Sequence, residues 1–292
     1  MLKNFDYKVP KSENCVLINI NNWLKPKGRL LAIQKISGRN STTYITEALK
    51  TNITEKLSDK IKEGSTILLS KVASEIAPYR SFTMEDGEQY FNAPVSQIMG
   101  TFKNNDIELE NLQMSEGILL IRKIEDTQDS PIALMNNNVM IGEVVKISEG
   151  SSKIEMGDII LVKDNVSTEI AFDGEKFYAL EERMVVGVFN GSFSLANMTF
   201  LNESVLMKPH TPKKVLNSTL IISPEIDLEE LDYSDMYNRD LFKIHFLDKS
   251  LTKLSEGDIV LVNRDYTNYV YFNQEKYFII NGYEYIESII KE

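Results

Sequence analysis

Lys62-Glu63-Gly64-Ser65-Thr66-Ile67-Leu68-Leu69, Glu155-Met156-Gly157-Asp158-Ile159-Ile160-Leu161-Val162 and Ser255-Glu256-Gly257-Asp258-Ile259-Val260-Leu261-Val262 are three versions of one phrase. In each, a glycine is followed by a small polar residue and then by a run rich in apolar, β-branched residues. Glycine supplies the positive φ of a tight turn without steric cost, and the apolar run starts a buried strand. The glycines recur roughly 95 residues apart, and self-similarity at a fixed period is the signature of a repeated structural unit.

The same order continues on both sides of each phrase. Downstream in the second copy stand Glu169-Ile170-Ala171-Phe172, the dipeptide Asp173-Gly174, and Lys176-Phe177-Tyr178-Ala179-Leu180. The third copy has Tyr269-Val270-Tyr271-Phe272, Asn273-Gln274, and Lys276-Tyr277-Phe278-Ile279-Ile280; the first has Glu85-Asp86-Gly87-Glu88 and then Gln89-Tyr90-Phe91. Asp-Gly between β-prone runs is a strong hairpin signal. Each copy closes on a short apolar run, at Val95 to Phe102, Met184 to Phe189 and Tyr285 to Ile290. Upstream, the copies open at Cys15 to Ile20, Gly117 to Lys123 and Val205 to Lys208, and resume at Arg29 to Ile36, Ile141 to Ile147 and Leu241 to Phe246.

Five or six short strands per copy, joined by turns, describe a small closed or nearly closed barrel, an arrangement that removes free sheet edges. The pattern predicts a mainly β chain of three tandem barrels, over residues 1–106, 107–195 and 196–292. Ala48, Leu49, Ile53, Leu57 and Ile61 fall near helical spacing, which predicts a short helical insertion over Thr46 to Ile61 in the first copy. Ile226 to Leu231, ringed by acidic residues, reads as a short acidic helix or an ordered loop, with its charge on a solvated face.

Composition narrows the function classes. The chain carries 42% hydrophobic residues, enough for buried cores, and a net charge of −11 that repels phosphate backbones, so no nucleic-acid partner is expected. One cysteine, Cys15, makes no intramolecular disulfide and gives no sign of an oxidising compartment. Met1 to Pro10 lacks the apolar core of a signal peptide, and no stretch approaches the roughly 18 uninterrupted apolar residues of a membrane span. The expectation is therefore no membrane association and a location in the cytoplasm of the producing cell or in a virion.

The ordered series of strands resembles the GroES-type co-chaperonin family. The second copy carries the resemblance best, with Gly117 to Lys123 as the opening strand, Ile141 to Ile147 as the "GEVVKI" strand, Met156 to Lys163 as the "GDIILVK" strand and Met184 to Phe189 as the closing strand. It extends over nearly the whole chain once the first and third copies are included by pattern, although no single motif in it is specific to the family. The resemblance implies GroES-like barrels and a loop between the first two strands that docks on a chaperonin ring through an apolar triplet. Matching stretches are Glu125 to Met140, with Ile132, Ala133 and Leu134, and Val215 to Leu241, with Leu220, Ile221 and Ile222. An apolar triplet on a polar loop can act as a peptide-like anchor that orders on binding, or can simply pack on its own barrel. The first copy departs from the family, because its loop, Asn21 to Gly28, is short and built around Trp23, Leu24 and Pro26.

Three units fused in one chain fit a sevenfold lid poorly, since closed symmetry restricts which interfaces can form. The expectation is a non-catalytic structural or assembly protein that acts through protein contacts, as a homo-oligomer with capsid or other virion proteins as partners. A head accessory or decoration protein of a bacteriophage is its concrete form; the alternative is a co-chaperonin that caps a chaperonin ring and assists folding. No catalytic residue, cofactor or metal is expected. His210 and His245 are the only histidines, His245 alternates inside a strand, no serine or Cys15 lies in a nucleophile turn, and too few Cys and His exist for a structural zinc site. Neither a calcium loop nor a nucleotide-binding glycine fingerprint is present. The densest aromatic group, Tyr266, Tyr269, Tyr271, Phe272, Tyr277, Phe278, Tyr283 and Tyr285, reads either as strand propensity or as an outward interface.

Overall fold

The computed structural model describes residues 14–21, 45–52, 61–124, 132–133, 139–150, 153–163, 167–191, 193–210, 239–272 and 275–290. Arg29 to Ile36, Ile226 to Leu231 and Asn273-Gln274 lie outside them. The chain divides into two compact units: unit one is Met1–Ile124, Gly142–Asp158 and Asn165–Met184, and unit two is Glu125–Ile141, Ile159–Asp164 and Val185–Glu292. The division runs through the second copy.

The class is mainly β. The first copy contributes β1 (Cys15–Asn19), β2 (Ile45–Glu47), β3 (Lys50–Asn52), β4 (Thr66–Leu69), the helix α1 (Lys71–Arg80), β5 (Phe82–Thr83), β6 (Gln89–Pro94) and β7 (Ile98–Phe102), followed by β8 (Leu112–Met114). The second has β9 (Ile118–Lys123), β10 (Ile132–Ala133), β11 (Val139–Ile147), β12 (Ile159–Lys163), β13 (Thr168–Phe172), β14 (Glu175–Glu181) and β15 (Val185–Phe189), followed by β16 (Met198–Phe200). The third has β17 (Ser204–Pro209), β18 (Arg239–Leu247), β19 (Ile259–Asn263), β20 (Asn268–Phe272), β21 (Glu275–Asn281) and β22 (Ile286–Ile290).

One pairing plan recurs. In unit one the antiparallel pairs β5–β6, β6–β1 and β1–β3 correspond to β13–β14, β14–β9 and β9–β11, and in unit two to β20–β21, β21–β17 and β17–β18. The strand after each glycine turn pairs with the closing strand, as β4–β7, β12–β15 and β19–β22, each with a register shift one residue from its end. In the third copy the first part of β18, Arg239 to Lys243, pairs with β19 while its later part, Phe242 to Leu247, pairs with β17. The first copy divides that corner strand in two, β2 pairing with β4 and β3 with β1. Among the described residues no hydrogen-bonded ladder returns to its first strand, so the expected closed barrels are not seen as closed rings.

The turn phrases have matching surroundings. Gly64, Gly157 and Gly257 adopt φ of 81°, 90° and 97°, which only glycine takes without strain. Their N–H groups donate to the carbonyls of Ala48, Val144 and Ile244 at 2.7, 2.8 and 2.9 Å. The residue after each glycine returns a bond, since Ser65, Asp158 and Asp258 carbonyls accept from the same three corner residues at 2.9 Å. The small polar side chain there also has a task. Ser65 Oγ, Asp158 Oδ2 and Asp258 Oδ2 accept from the N–H three residues earlier, at Lys62, Glu155 and Ser255, over 3.0, 2.8 and 2.9 Å. Asp173 and Gly174, with φ of 48° and 88°, make the tight hairpin that their dipeptide predicts.

Residues 53–60 of the expected helical insertion, with Ile53 and Leu57, lie outside the described residues. In the described start of that span, Ala48 and Leu49 sit at the break between β2 and β3, so Thr46 to Asn52 are strand and not helix. A helix that the sequence does not announce, α1, follows the glycine turn between β4 and β5, capped at its N-terminus by Ser70, whose Oγ accepts from Ala73 N–H at 3.1 Å. Its small buried residues Ala73 and Ala77 pack into the first copy's core with Val16, Phe91, Ala93 and Ile98.

Each of the first two closing strands carries a further neighbour, β8 on β7 and β16 on β15. Ser115 N–H donates to the Met99 carbonyl and Leu201 N–H to the Val186 carbonyl, both at 2.9 Å. These linker strands approach closely because the closing strand opposite them has glycine. A Cβ on Gly100 would lie 2.6 Å from the Gln113 carbonyl oxygen, and one on Gly187 would lie 2.6 Å from that of Thr199. Beyond each linker strand the next copy begins, and the aromatic contact between copies is also repeated: Phe102 meets Phe172 at 6.3 Å within unit one, and Phe189 meets Phe272 at 6.4 Å within unit two. In unit one a single buried cluster joins Leu68, Met99, Phe102, Leu112 and Met114 to Leu120, Ile170, Phe172, Phe177 and Ala179 of the second copy. Substituting Gly100→Ala or Gly187→Ala should each destabilise the chain by about 2 kcal/mol, the usual cost of a forced methyl, read as a lowered urea midpoint. Ser288→Ala, at the matching position of β22, should fall within about 0.5 kcal/mol of the parent.

Candidate interaction surface

The third copy presents an aromatic and cationic face within unit two. β20 alternates as its sequence predicts, with Asn268, Val270 and Phe272 buried and Tyr269 and Tyr271 half-buried on the other face. Lys276 Nζ lies 3.9 Å from the centre of the Tyr269 ring and 4.8 Å from that of Phe278, and Tyr269 meets Tyr271 edge-on at 6.0 Å. Tyr266, 57% exposed, lies against Tyr285 with ring centres 5.3 Å apart. Tyr283 accepts a hydrogen bond from Lys253 N–H at 2.9 Å, and the Lys253 ammonium lies 5.9 Å from its ring centre. Tyr269, Tyr283 and Tyr285 pack against the core cluster of Val205, Phe242, Val260 and Ile280, so their rings are anchored on one side and open on the other. Rigid tyrosines held this way offer contact area with little side-chain entropy left to lose. Phe272, Tyr277 and Phe278, from the same sequence cluster, are buried and belong to packing.

A charged group stands on the neighbouring strands. Lys208 Nζ donates to Glu275 Oε2 at 2.7 Å and lies 4.7 Å from the Tyr277 ring centre, and Tyr277 Oη donates to Glu275 at 3.0 Å. The bond from Lys208 holds the Glu275 carboxyl below the usual carboxylate range. His245 meets the Tyr277 ring edge-on at 6.0 Å, and burial, with Lys208 nearby, pushes its imidazole below the ordinary histidine value. The same cross-strand arrangement occurs in the second copy as Arg122, which bonds Glu175 at 3.1 Å and Glu143 at 2.6 Å. Occurrence at matching register in two copies assigns the cation and carboxylate pair to holding neighbouring strands together, and His245 decorates it. His210 follows β17, where its N–H bonds the Leu241 carbonyl at 2.8 Å, and Cys15 is buried, which pushes its thiol up.

Ile132 and Ala133, from the expected docking loop, form β10 and pair antiparallel with Phe272 and Tyr271 of β20. Both partners are in unit two. The backbone of this loop thus adds to the sheet of the third copy, an alternative to packing on its own barrel that its sequence does not reveal. Leu134, Leu220, Ile221 and Ile222 lie outside the described residues.

In unit one a groove of about 640 Å³ runs beside the first linker strand, floored by Ile98, Leu112, Met114 and Ile118, with Lys146 and the exposed Met156 at its rim. Lys146 Nζ donates to the Glu110 carbonyl at 3.0 Å. Unit two has Phe200 and Phe246 at the positions of Met114 and Lys146, and their rings stack at 5.7 Å. Among the described residues no three His, Cys, Asp or Glu side chains gather as a metal site, and no helix is long and apolar enough to cross a membrane. Comparison with known proteins finds no family model that matches the chain and no curated protein similar to it.

Lys163, the last residue of β12, is an unexpected feature. Burial alone pushes its ammonium down from the ordinary 10.5 to about 8. A lysine with a lowered folded-state pKa costs stability while it is charged, so the full cost applies below about pH 8 and is relieved as pH rises towards 10.5. Lys163→Met should therefore raise the urea midpoint at pH 7, with the gain shrinking between pH 8 and pH 10.5. An equal gain at all pH values would show that the ammonium is not the cause.

Proposed function

We propose that the chain is a structural or assembly protein, built from three GroES-like barrel copies, that acts through protein contacts and not through a reaction centre. The observation that carries this reading is the junction between copies. It is built twice from the same parts, a linker strand, a closing-strand glycine and a phenylalanine pair, and so commits one side of each copy to contact with its neighbour. The tyrosine and lysine face of the third copy extends the same use of surface outward. Tyrosines of this kind, anchored on one side and open on the other, are enriched at protein interfaces. A bacteriophage virion, with the chain as a head accessory or decoration component, is the concrete setting in which such contacts would operate.

The second reading is a co-chaperonin. It draws on Ile132 and Ala133, which would leave their bonds to Phe272 and Tyr271 in order to dock on a chaperonin ring. Two measurements separate the readings. On the structural reading the chain copurifies with virus particles, and deleting Ile132-Ala133-Leu134 together with Leu220-Ile221-Ile222 leaves that association intact. Tyr266→Ala combined with Tyr285→Ala should weaken it about tenfold, or about 1.4 kcal/mol, with little change in thermal stability. Binding to a chaperonin ring and support of refolding, both lost on the triplet deletions, would replace the structural reading with the second.

A further inference from the structure

The socket that receives β8 on β7 and β16 on β15 recurs in outline on β22. Register places Gly100, Gly187 and Ser288 at one position, opposite Leu68, Leu161 and Leu261. It places Met99, Val186 and Glu287 at the residue just before, where the register shifts. In the two filled sockets the Met99 and Val186 carbonyls accept the linker strand's hydrogen bonds, and the side chains of both residues are buried. Glu287 instead is exposed, with Arg239 Nε bonded to its carboxylate at 2.9 Å. Ser288 carries the atom that the two glycines lack. A strand seated as β8 or β16 is seated would put its carbonyl oxygen about 2.6 Å from the Ser288 Cβ, closer than real Cβ atoms approach any heavy atom. Among the described residues β22 has β19 as its one neighbour, and Ile289 is 38% exposed where Val188, at the same register in β15, is 8% exposed.

We propose that β22 is a terminating edge, which refuses the linker strand of a second copy of this chain. The junction inside the chain joins unlike faces, and a contact of that kind carried from molecule to molecule would give open-ended polymers. The register shift is common to all three closing strands, whereas a charged side chain on an exposed edge is a known protection against such pairing, and Ser288 adds a steric one. The reason lies in β22 itself, whatever follows it in sequence. It is independent of the function proposed above.

The test uses the full chain, a labelled peptide of residues 194–203 that reproduces the second linker strand, fluorescence anisotropy for binding, and sedimentation velocity over a range of concentrations. The parent chain should show no saturable binding. The double variant Glu287→Val with Ser288→Gly should bind the peptide at least tenfold more tightly than the parent and sediment as species that grow with concentration. Equal binding by parent and variant overturns the proposal, as does a folded variant that gains neither property. Should the variant not fold, hydrogen exchange in the parent decides. Outward-facing amides of β22 should exchange at least a hundredfold faster than the linker-bonded amides of β7 and β15, and equal protection overturns the proposal.

Discussion

Every copy hangs on a pair of hydrogen bonds between a glycine turn and a corner strand. The turn N–H reaches Ala48, Val144 or Ile244, and the same residue's N–H reaches back to the carbonyl that follows the glycine. This two-way clasp fixes where the corner strand changes partners, and therefore which residues face the core. In the third copy Phe242 and Ile244 lie inward together with Val260 and Val262 from the strand after the turn. Without positive φ at the glycine the turn could not present both groups at once, which is why the residue type recurs while most of its surroundings vary.

The second constraint is steric and acts between copies. Gly100 and Gly187 let a three-residue strand lie against the closing strand, and that short strand delivers the chain to the next copy with its phenylalanine contact already in place. Burying a phenylalanine contributes roughly 1.5–3 kcal/mol, so each junction ties neighbouring copies more firmly than a flexible linker would. Tying copies in this way removes their joined sides from use by partners. Away from those joined sides, the third copy carries the open tyrosines and lysines.

Much of the fold was legible in the sequence because the turn and strand signals are local. Gly157-Asp158, Gly257-Asp258 and Asp173-Gly174 need only their own backbone geometry, and the alternation in β13 and β20 needs only one buried face. Thr46 to Asn52, the described start of the expected helix, are β2, a break and β3, because a corner strand buries residues against two sheets in succession and so departs from strict alternation. α1 gave no signal, as its buried residues are the small Ala73, Ser74 and Ala77 and it holds Pro78 internally. β8 and β16 are too short for periodicity to show, and the purpose of Gly100 and Gly187 is visible only with the opposing carbonyl in place. The tyrosine-rich cluster was visible as composition, but only packing separates Tyr266, Tyr269 and Tyr285 from the buried Phe272, Tyr277 and Phe278. Lys163 could not be singled out, since its burial depends on residues distant in sequence.

The central claim is that one clasp was used three times along the chain. Residue-resolved hydrogen exchange of the Gly64, Gly157 and Gly257 amides tests it most directly. The account predicts that all three are strongly protected, each at a level set by the stability of its own copy. Exchange at any one of them at the rate of an exposed loop, while the strands that follow the turn remain protected, would contradict it.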